Sequence, residues 1–307
     1  MHVLITGGAG FIGSHVTDLL LSGAYGVRVL DNLAPQVHGA GRQRPNYLST
    51  EAELFVGDIR DPETVQRALR GIDAVVHLAS AVGVGQSMYD IASYVEINEL
   101  GTANVLQAVS RHPVARLVIA SSMSVYGEGL VRRPGGQLIS PPERPIAQLR
   151  KGRWDIEDQD GEPLVPIATP EDKQPCLSSI YALNKFAQER MALVIGRAYR
   201  IPTIALRFFN VYGTRQALSN PYTGVLAIFA ARLLNNKSPL VFEDGEQRRD
   251  FVHVLDVARA CRLALETPDI DGFVFNVGSG RSRSILSLKC SSRSRTSTSR
   301  SASSCCT

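Results

Sequence analysis

The sequence predicts an α/β fold, a doubly wound parallel sheet carrying a smaller C-terminal lobe. Three observations predict it. Short apolar runs alternate with amphipathic helical stretches through the first half of the chain, the runs are apolar almost throughout, and a glycine-rich turn joins the first run to the first helix. Continuous apolar strands suit a parallel sheet covered on both faces. Strand–helix–strand repetition implies right-handed crossovers.

The elements follow in order. "HVLIT" (2–6), "VRVLD" (27–31), "ELFVG" (53–57), "DAVVHLA" (73–79) and "RLVIAS" (116–121) read as strands, with helical patterns at Ile12–Ser22, Pro62–Arg70 and Ala92–Arg111. Residues 128–179 break the rhythm and hold eight of the 16 prolines and the single tryptophan, Trp154. A loop this long inside a compact domain is functional or disordered. Its acids Asp155, Glu157, Asp158, Asp160 and Glu162 read as a solvated loop in preference to a cation site. Patterning resumes with a helix over Tyr181–Tyr199, a strand over 203–209 and a helix near Gly224–Leu234. A short strand over 240–243, a helix over Val254–Glu266 and a strand over 273–277 complete it.

Composition narrows the function classes. A hydrophobic content of 44% is ordinary for a globular protein, and no apolar run approaches the roughly 20 residues of a membrane helix. The first strand starts at residue 2 with no basic stretch before it, so no signal peptide is expected and the expected compartment is the cytoplasm. The net charge of +4 comes from residues 281–307, which carry six basic residues and no acid and leave 27 basic against 29 acidic residues elsewhere. That balance argues against a nucleic-acid surface. Of five cysteines, Cys290, Cys305 and Cys306 fall in the same tail. Cys176 and Cys261 alone suggest neither a disulfide framework nor a metal site.

The turn "TGGAGFIGSH" has the spacing Gly7-x-x-Gly10-x-x-Gly13. Glycines permit a tight turn and let the backbone approach a pyrophosphate, while the helix start at Phe11 and Ile12 offers amide donors and a positive dipole end. Asp31 ends the second strand, where a carboxylate accepts from ribose hydroxyls and repels a 2′-phosphate, so NAD is expected over NADP. Asp58, with the adjacent Ile59 amide, reads either as a contact to adenine or as a helix N-cap.

"VIASSMSVYGEG" ends the fifth strand with Ser121, Ser122 and Ser124, at the carboxyl edge where parallel sheets bind ligands. Tyr181 and Lys185 stand one turn apart on one helix face. A lysine cation beside a phenol favours the phenolate and lowers its pKa. With the second positive charge of bound NAD⁺ added, such a tyrosine serves as a general base at neutral pH.

These motifs, together with "GDIRD", "HLAS", "RFFNVYG" and "RRDFVHVLDVA", resemble in order and context the extended short-chain dehydrogenase/reductases, in the branch of NAD-dependent nucleotide-sugar epimerases and dehydratases. The resemblance runs from residue 2 to about 285. It implies a Rossmann-type NAD domain over 1–180 with an insertion at 128–179. Further sheet elements interleave with a substrate lobe over 181–285, and a disordered or frameshifted tail fills 286–307. It implies Ser122, Tyr181 and Lys185 as catalytic residues. Gly7, Gly10, Phe11, Ile12, Gly13, Asp31, Asn32, Asp58, Ile59, Leu78 and Ala79 are implied for the cofactor, with Tyr181 and Lys185. Asn210 and Arg249 are implied for a sugar–diphosphate substrate, with Ser122 and Tyr181. His77 and His253 lie inside apolar patterns and read as packed structural residues.

The resembling 4,6-dehydratases place Asp-Glu after the active-site residue, and related decarboxylases keep a glutamate near there; here Met123-Ser124 occupies those positions. What remains is 4-epimerisation through a transient 4-keto sugar, with a 4-ketoreductase, a 4,6-dehydratase or a catalytically impaired NAD-binding protein as alternatives. The 58 residues between Ser122 and Tyr181, with "RQALSNPYTG", resemble the subgroup of dTDP-L-rhamnose 4-epimerases and, more broadly, UDP-glucose 4-epimerases. With only Cys176 in the insertion, no zinc ribbon and no metal are expected there. The insertion is expected to lid the sugar pocket. The resemblance also implies a homodimer through helices near 92–111 and 181–199, a nucleotide-diphosphate sugar as partner, and neither nucleic acid nor membrane.

Overall fold

The computed structural model describes residues 1–218, 224–279 and the strand 282–284 of the chain. Its strands are β1 (His2–Thr6), β2 (Gly26–Asp31), β3 (Glu53–Val56), β4 (Ala74–His77), β5 (Arg116–Ser122), β6 (Leu130–Arg132), β7 (Leu138–Ile139), β8 (Val165–Ile167), β9 (Thr203–Phe208), β10 (Asn210–Tyr212), β11 (Arg248–His253), β12 (Val274–Val277) and β13 (Ser282–Ser284). Seven form one parallel sheet in the order β12-β9-β5-β4-β1-β2-β3. This is the Rossmann-type sheet expected from the sequence.

The unbroken apolar runs are explained by two cores, one on each face. Val3 and Ile5 of β1 pack with Val16, Leu20, Val257 and Cys261 under the helices Phe11–Ser22 and Val254–Glu266. Leu4, between them, points to Val65, Val105, Leu106 and Ala192 of the opposite helical layer. A strand apolar on both faces cannot be half-exposed. The register then aligns the strand ends: Thr6 lies beside Leu30 and His77, and Ser122 beside Phe208. Thr6, Asp31, His77 and Ser122 therefore share the carboxyl edge.

Three expectations change. The strand expected at 240–243 does not form; those residues carry no ladder. The segment 128–179 is not featureless, since β6 pairs with β7 and β8 into a small antiparallel sheet. Its strands are two or three residues long, too short for periodicity to register. The helix expected over 92–111 is two α segments, Ile91–Val95 and Gly101–Arg111, joined by a π-helical turn over Glu96–Leu100. The tail expected at 286–307 lies outside the described residues.

Candidate active site

The glycine turn leaves β1 and enters the first helix at Gly10, which offers no side-chain cap. The first-turn amides of a helix lack intrahelical acceptors. Two glycines are required by space. Gly7 has φ +71°, and a Cβ there would stand 2.8 Å from the Ala79 amide nitrogen. A Cβ on Gly13 would lie 2.2 Å from the Gly7 carbonyl oxygen. The side-chain-free backbone makes a cradle between the turn and Leu78–Ala79.

Asp31 is buried beside that turn. Its Oδ2 accepts from the Ala9 amide at 3.0 Å and its Oδ1 from the Leu33 amide at 2.9 Å. His38 brings Nε2 to 3.7 Å from the same carboxylate, and its buried Nδ1 has no partner. Burial lowers the His38 pKa, with the Asp31 charge opposing it. Tyr47 donates its hydroxyl to the Ala9 carbonyl at 3.0 Å.

Asp58 is not the N-cap. Asp61 caps the helix Pro62–Ala68, accepting from the Glu63 amide. Asp58 instead accepts from Asn32 Nδ2 at 3.0 Å and from the amide and side chain of Arg60. Burial pushes its pKa up, but the Arg60 and Asn32 hydrogen bonds prevail and bring it down to about 2. Ile59 is buried one residue on.

On the other side of the edge, Ser122 caps the short 3₁₀ turn Met123–Tyr126, its Oγ accepting from the Ser124 amide at 3.1 Å. Tyr181 enters from the helix Ile180–Tyr199, which Ser179 caps by accepting from the Ala182 amide at 3.1 Å. The Tyr181 amide donates to Ser87 Oγ at 3.0 Å. The Ser122 hydroxyl stands near enough to the Tyr181 phenol to act on its ionisation. Tyr181 and Lys185 are both buried, at 9% and 3% exposure.

Burial acts on both groups against ionisation. It raises the phenol of Tyr181, with the Ser122 hydrogen bond pulling it back, and it lowers the Lys185 ammonium to about 7, with Glu189 pulling it up. In the chain alone desolvation outweighs the Ser122 hydrogen bond and the phenol pKa is raised, whereas the lowering expected from the sequence also counts the positive charge of bound NAD⁺.

Asn210 donates to the Asp250 carbonyl at 2.9 Å and meets Met123 Sδ at 3.5 Å, which brings it beside Ser122. Arg249 of β11 is exposed as a residue, yet its guanidinium end is desolvated, which lowers its pKa; Glu128 pulls it up, Arg144 pushes it down and Glu243 pulls it up. It belongs to none of the ion pairs among the described residues, while Arg144 pairs with Glu128 at 2.9 Å and Glu243 at 3.4 Å.

His77 is a packed structural residue, as expected, whereas His253 is only partly buried. His77 is buried between Thr6 Oγ1 at 2.7 Å and Thr102 Oγ1 at 2.9 Å. His253 caps the helix Val254–Glu266 through Nδ1. The acidic loop is a turn: Asp158 accepts from the Asp160 and Glu162 amides, and Glu157 pairs with Arg153. No metal-binding cluster occurs among the described residues.

The sequence profile described as the NAD dependent epimerase/dehydratase family matches residues 3–148 and 158–278. The chain belongs to that family. It is 35% identical over 290 residues to a dTDP-L-rhamnose 4-epimerase of Burkholderia thailandensis, covering 93% of this chain and 78% of that protein. It is similar in structure to the Thermotoga maritima UDP-glucose 4-epimerase with UDP-glucose, with a TM-score of 0.76 and 31% identity over 94% of this chain and 81% of that one. The Thermus thermophilus UDP-glucose 4-epimerase in complex with NAD matches with a TM-score of 0.72 and 32% identity, over 94% and 81% of the two chains.

The cofactor of this family member is NAD. Its residues fit the group. The cradle at Gly7 and Gly13 leaves no room for a Cβ, and the unpartnered His38 Nδ1 beside Asp31 offers a polar atom to a ribose or adenine. Among the described residues no helix is long and apolar enough to cross a membrane.

Sequence reasoning missed several groups in this epimerase/dehydratase site. His38 ends the single-turn helix Pro35–His38 and Tyr47 lies in a turn, and neither has a sequence pattern to mark it. Asn98 is buried on the π turn, where its Oδ1 accepts from Ser80 Oγ at 2.9 Å and the Ala81 amide at 2.7 Å. Such turns cluster at functional sites but have no sequence signature. Arg207 did leave a signal, a charge inside the buried strand "TIALRFF".

Proposed function

We propose that the protein is a nucleotide-sugar 4-epimerase acting through a transient 4-keto sugar, on a dTDP-L-rhamnose or UDP-hexose class of substrate. One observation carries the choice among the family's reactions. The two positions after Ser122 hold Met123 and Ser124, which have no carboxyl for proton transfer at C5 and C6. Ser124 Oγ is turned to Ser122 Oγ at 3.1 Å, and Met123 Sδ faces Asn210.

In this reading Tyr181 removes the proton of the sugar 4-hydroxyl and returns it after the sugar has turned over. Ser122 hydrogen-bonds the same oxygen and steadies the phenolate. Lys185 supplies the positive charge that phenolate formation needs in a desolvated pocket. Gly7, Gly10, Phe11, Ile12, Gly13, Asp31, Asn32, Asp58, Ile59, Leu78 and Ala79 hold NAD, which when bound supplies a reversible hydride acceptor at C4. Asn210 and Arg249 orient the sugar–diphosphate; a guanidinium outside any ion pair among the described residues suits phosphate oxygens.

The insertion 128–179 lids the sugar pocket. Its support is Arg144, which joins Glu128 to Glu243 and donates to the Trp154 carbonyl at 2.7 Å, next to Arg249. A homodimer is supported by Val95, Leu100, Leu183 and Val194, which stand exposed on the helices expected to pair. Light scattering that returns the monomer mass would refute it.

The direct test is incubation with UDP- and dTDP-sugars, read by product stereochemistry at C4 and by the reduced-cofactor absorbance. A 4-ketoreductase consumes reduced cofactor in proportion to product; this enzyme is expected to consume none. Absence of turnover with every sugar favours the impaired NAD-binding protein.

A further inference from the structure

Beneath the Tyr181–Lys185 pair lies a second charged pair. Glu189 is one helical turn beyond Lys185, and its carboxylate accepts from Arg207 Nη2 at 2.6 Å, Arg207 Nε at 2.9 Å and Ser121 Oγ at 2.7 Å. The side chains are 1% and 5% exposed. The register sets Ser121 against Arg207 and Ser122 against Phe208, so the carboxylate grips the residue before Ser122.

Arg207 continues the chain outward. Its Nη1 donates to the Tyr126 hydroxyl at 2.7 Å and to the Glu171 carbonyl at 3.0 Å. The Tyr126 hydroxyl donates to Asn276 Oδ1 at 2.7 Å, and Asn276 Nδ2 donates to the Thr169 carbonyl at 2.9 Å. Lys173 Nζ, also buried, donates to the Tyr126 carbonyl at 2.8 Å. Every polar atom of the buried pair is satisfied, and residues 169–173 of the insertion close its outer side.

A buried ion pair is weak evidence for stability, since apolar residues of the same volume often serve equally well. Its placement is the informative part. We propose that Glu189 and Arg207 are positioning residues for the Tyr181–Lys185 acid–base pair, with Glu189 as the counter-charge of Lys185, Arg207 as the brake on that charge, and residues 169–173 as their outer wall. The proposal rests on the reading of Tyr181 as the base.

The charged and titratable groups around Lys185 are few. His77 of β4 is buried and neutral and feels the Lys185 charge. Tyr181 and Glu189 share its helix, and Glu99 is held one step away by Asn184. Burial alone pushes the ammonium toward neutrality and Glu189 opposes it. Two cations thus share one carboxylate. Removing Glu189 strips Lys185 of its counter-charge, whereas removing Arg207 turns the whole carboxylate toward Lys185. The two changes act on the phenolate in opposite directions, which loss of a merely structural contact does not.

The test is a pH titration of the Tyr181 phenolate absorbance in the full-length protein with its NAD. The chain has nine tyrosines, so the signal is isolated by subtracting a Tyr181→Phe version of each protein. In Glu189→Gln the midpoint is expected to rise by about one pH unit, the size of an ordinary charge-neighbour effect, and in Arg207→Gln to fall. Midpoints that stay at the wild-type value, or that move the same way in both, overturn the proposal. Should either single variant fail to fold, the double variant removes both members of the Glu189–Arg207 pair together, so neither is left buried without the other. Its midpoint is expected above wild type, and an unshifted one overturns the proposal. Failure of the epimerase reading is seen separately, as absence of nucleotide-sugar turnover by the wild-type protein while the titration still reads.

Discussion

Thr6 and His77 face each other across the β1–β4 register, with hydroxyl and Nδ1 2.7 Å apart in the floor of the carboxyl edge. Desolvation, helped by the Lys185 charge, lowers the His77 pKa from 6.5 to about 3. A histidine held neutral in the fold and free to protonate when unfolded makes stability fall as pH drops. The His77 contribution is complete above pH 6.5 and is lost progressively toward pH 3. The unfolding free energy from denaturant titration is expected to fall over that window by a few kcal/mol. A His77→Gln variant is expected to lose most of that slope, and an unchanged slope would place its source elsewhere.

Gly13 gives the sharpest steric prediction. A Cβ 2.2 Å from the Gly7 carbonyl oxygen forces the turn to open. Gly13→Ala is expected to lose bound NAD while destabilising the fold by roughly 1–3 kcal/mol, as overpacking does. Gly135→Ala, where a Cβ meets open space, is the control. Retained NAD in Gly13→Ala would remove the turn from the cofactor site.

Asp31 is expected to set cofactor choice. Asp31→Ala removes the acceptor of the Ala9 and Leu33 amides and the charge that repels a 2′-phosphate. Affinity for NAD is expected to fall roughly tenfold or more, since hydrogen bonds to a charged group are worth about 1.5–3 kcal/mol each. NADP is expected to fall less. Binding titrations that leave the ratio of the two affinities unchanged would contradict this role.

The lid reading turns on Arg144. Its pairs are part-exposed, so Arg144→Ala is expected to change stability by no more than about 1 kcal/mol. KM for the nucleotide sugar is expected to rise roughly tenfold, about 1.4 kcal/mol of substrate binding, with NAD affinity unchanged. Steady-state kinetics with unaltered KM would disconnect the insertion from the pocket.

The parallel sheet was legible in the sequence because burial on both faces writes itself as unbroken apolar runs, as in Val3, Leu4 and Ile5. The glycine turn, Asp31, Ser122, Tyr181 and Lys185 were legible because spacing along one chain segment fixes where each stands. The insertion was not, since β6, β7 and β8 are only two or three residues long and β6 meets β8 across 33 to 37 residues, which leaves them no period of their own. Asp58 was ambiguous because "GDIRD" offers two acids to one helix start, and only packing assigns the cap to Asp61. The burial that opposes a Tyr181 phenolate was not legible for a related reason: sequence displays the neighbouring lysine but not the depth at which the phenol sits.

In the proposed reaction Tyr181 works on a 4-hydroxyl, with no carbon acid deprotonated at C5 or C6. Turnover of a nucleotide sugar in deuterated water, with product examined by NMR, tests it most directly. The expected product is inverted at C4 with no solvent deuterium on any ring or side-chain carbon, and Tyr181→Phe is expected to form none of it. Deuterium at C5 or C6, or unimpaired inversion by Tyr181→Phe, would contradict it.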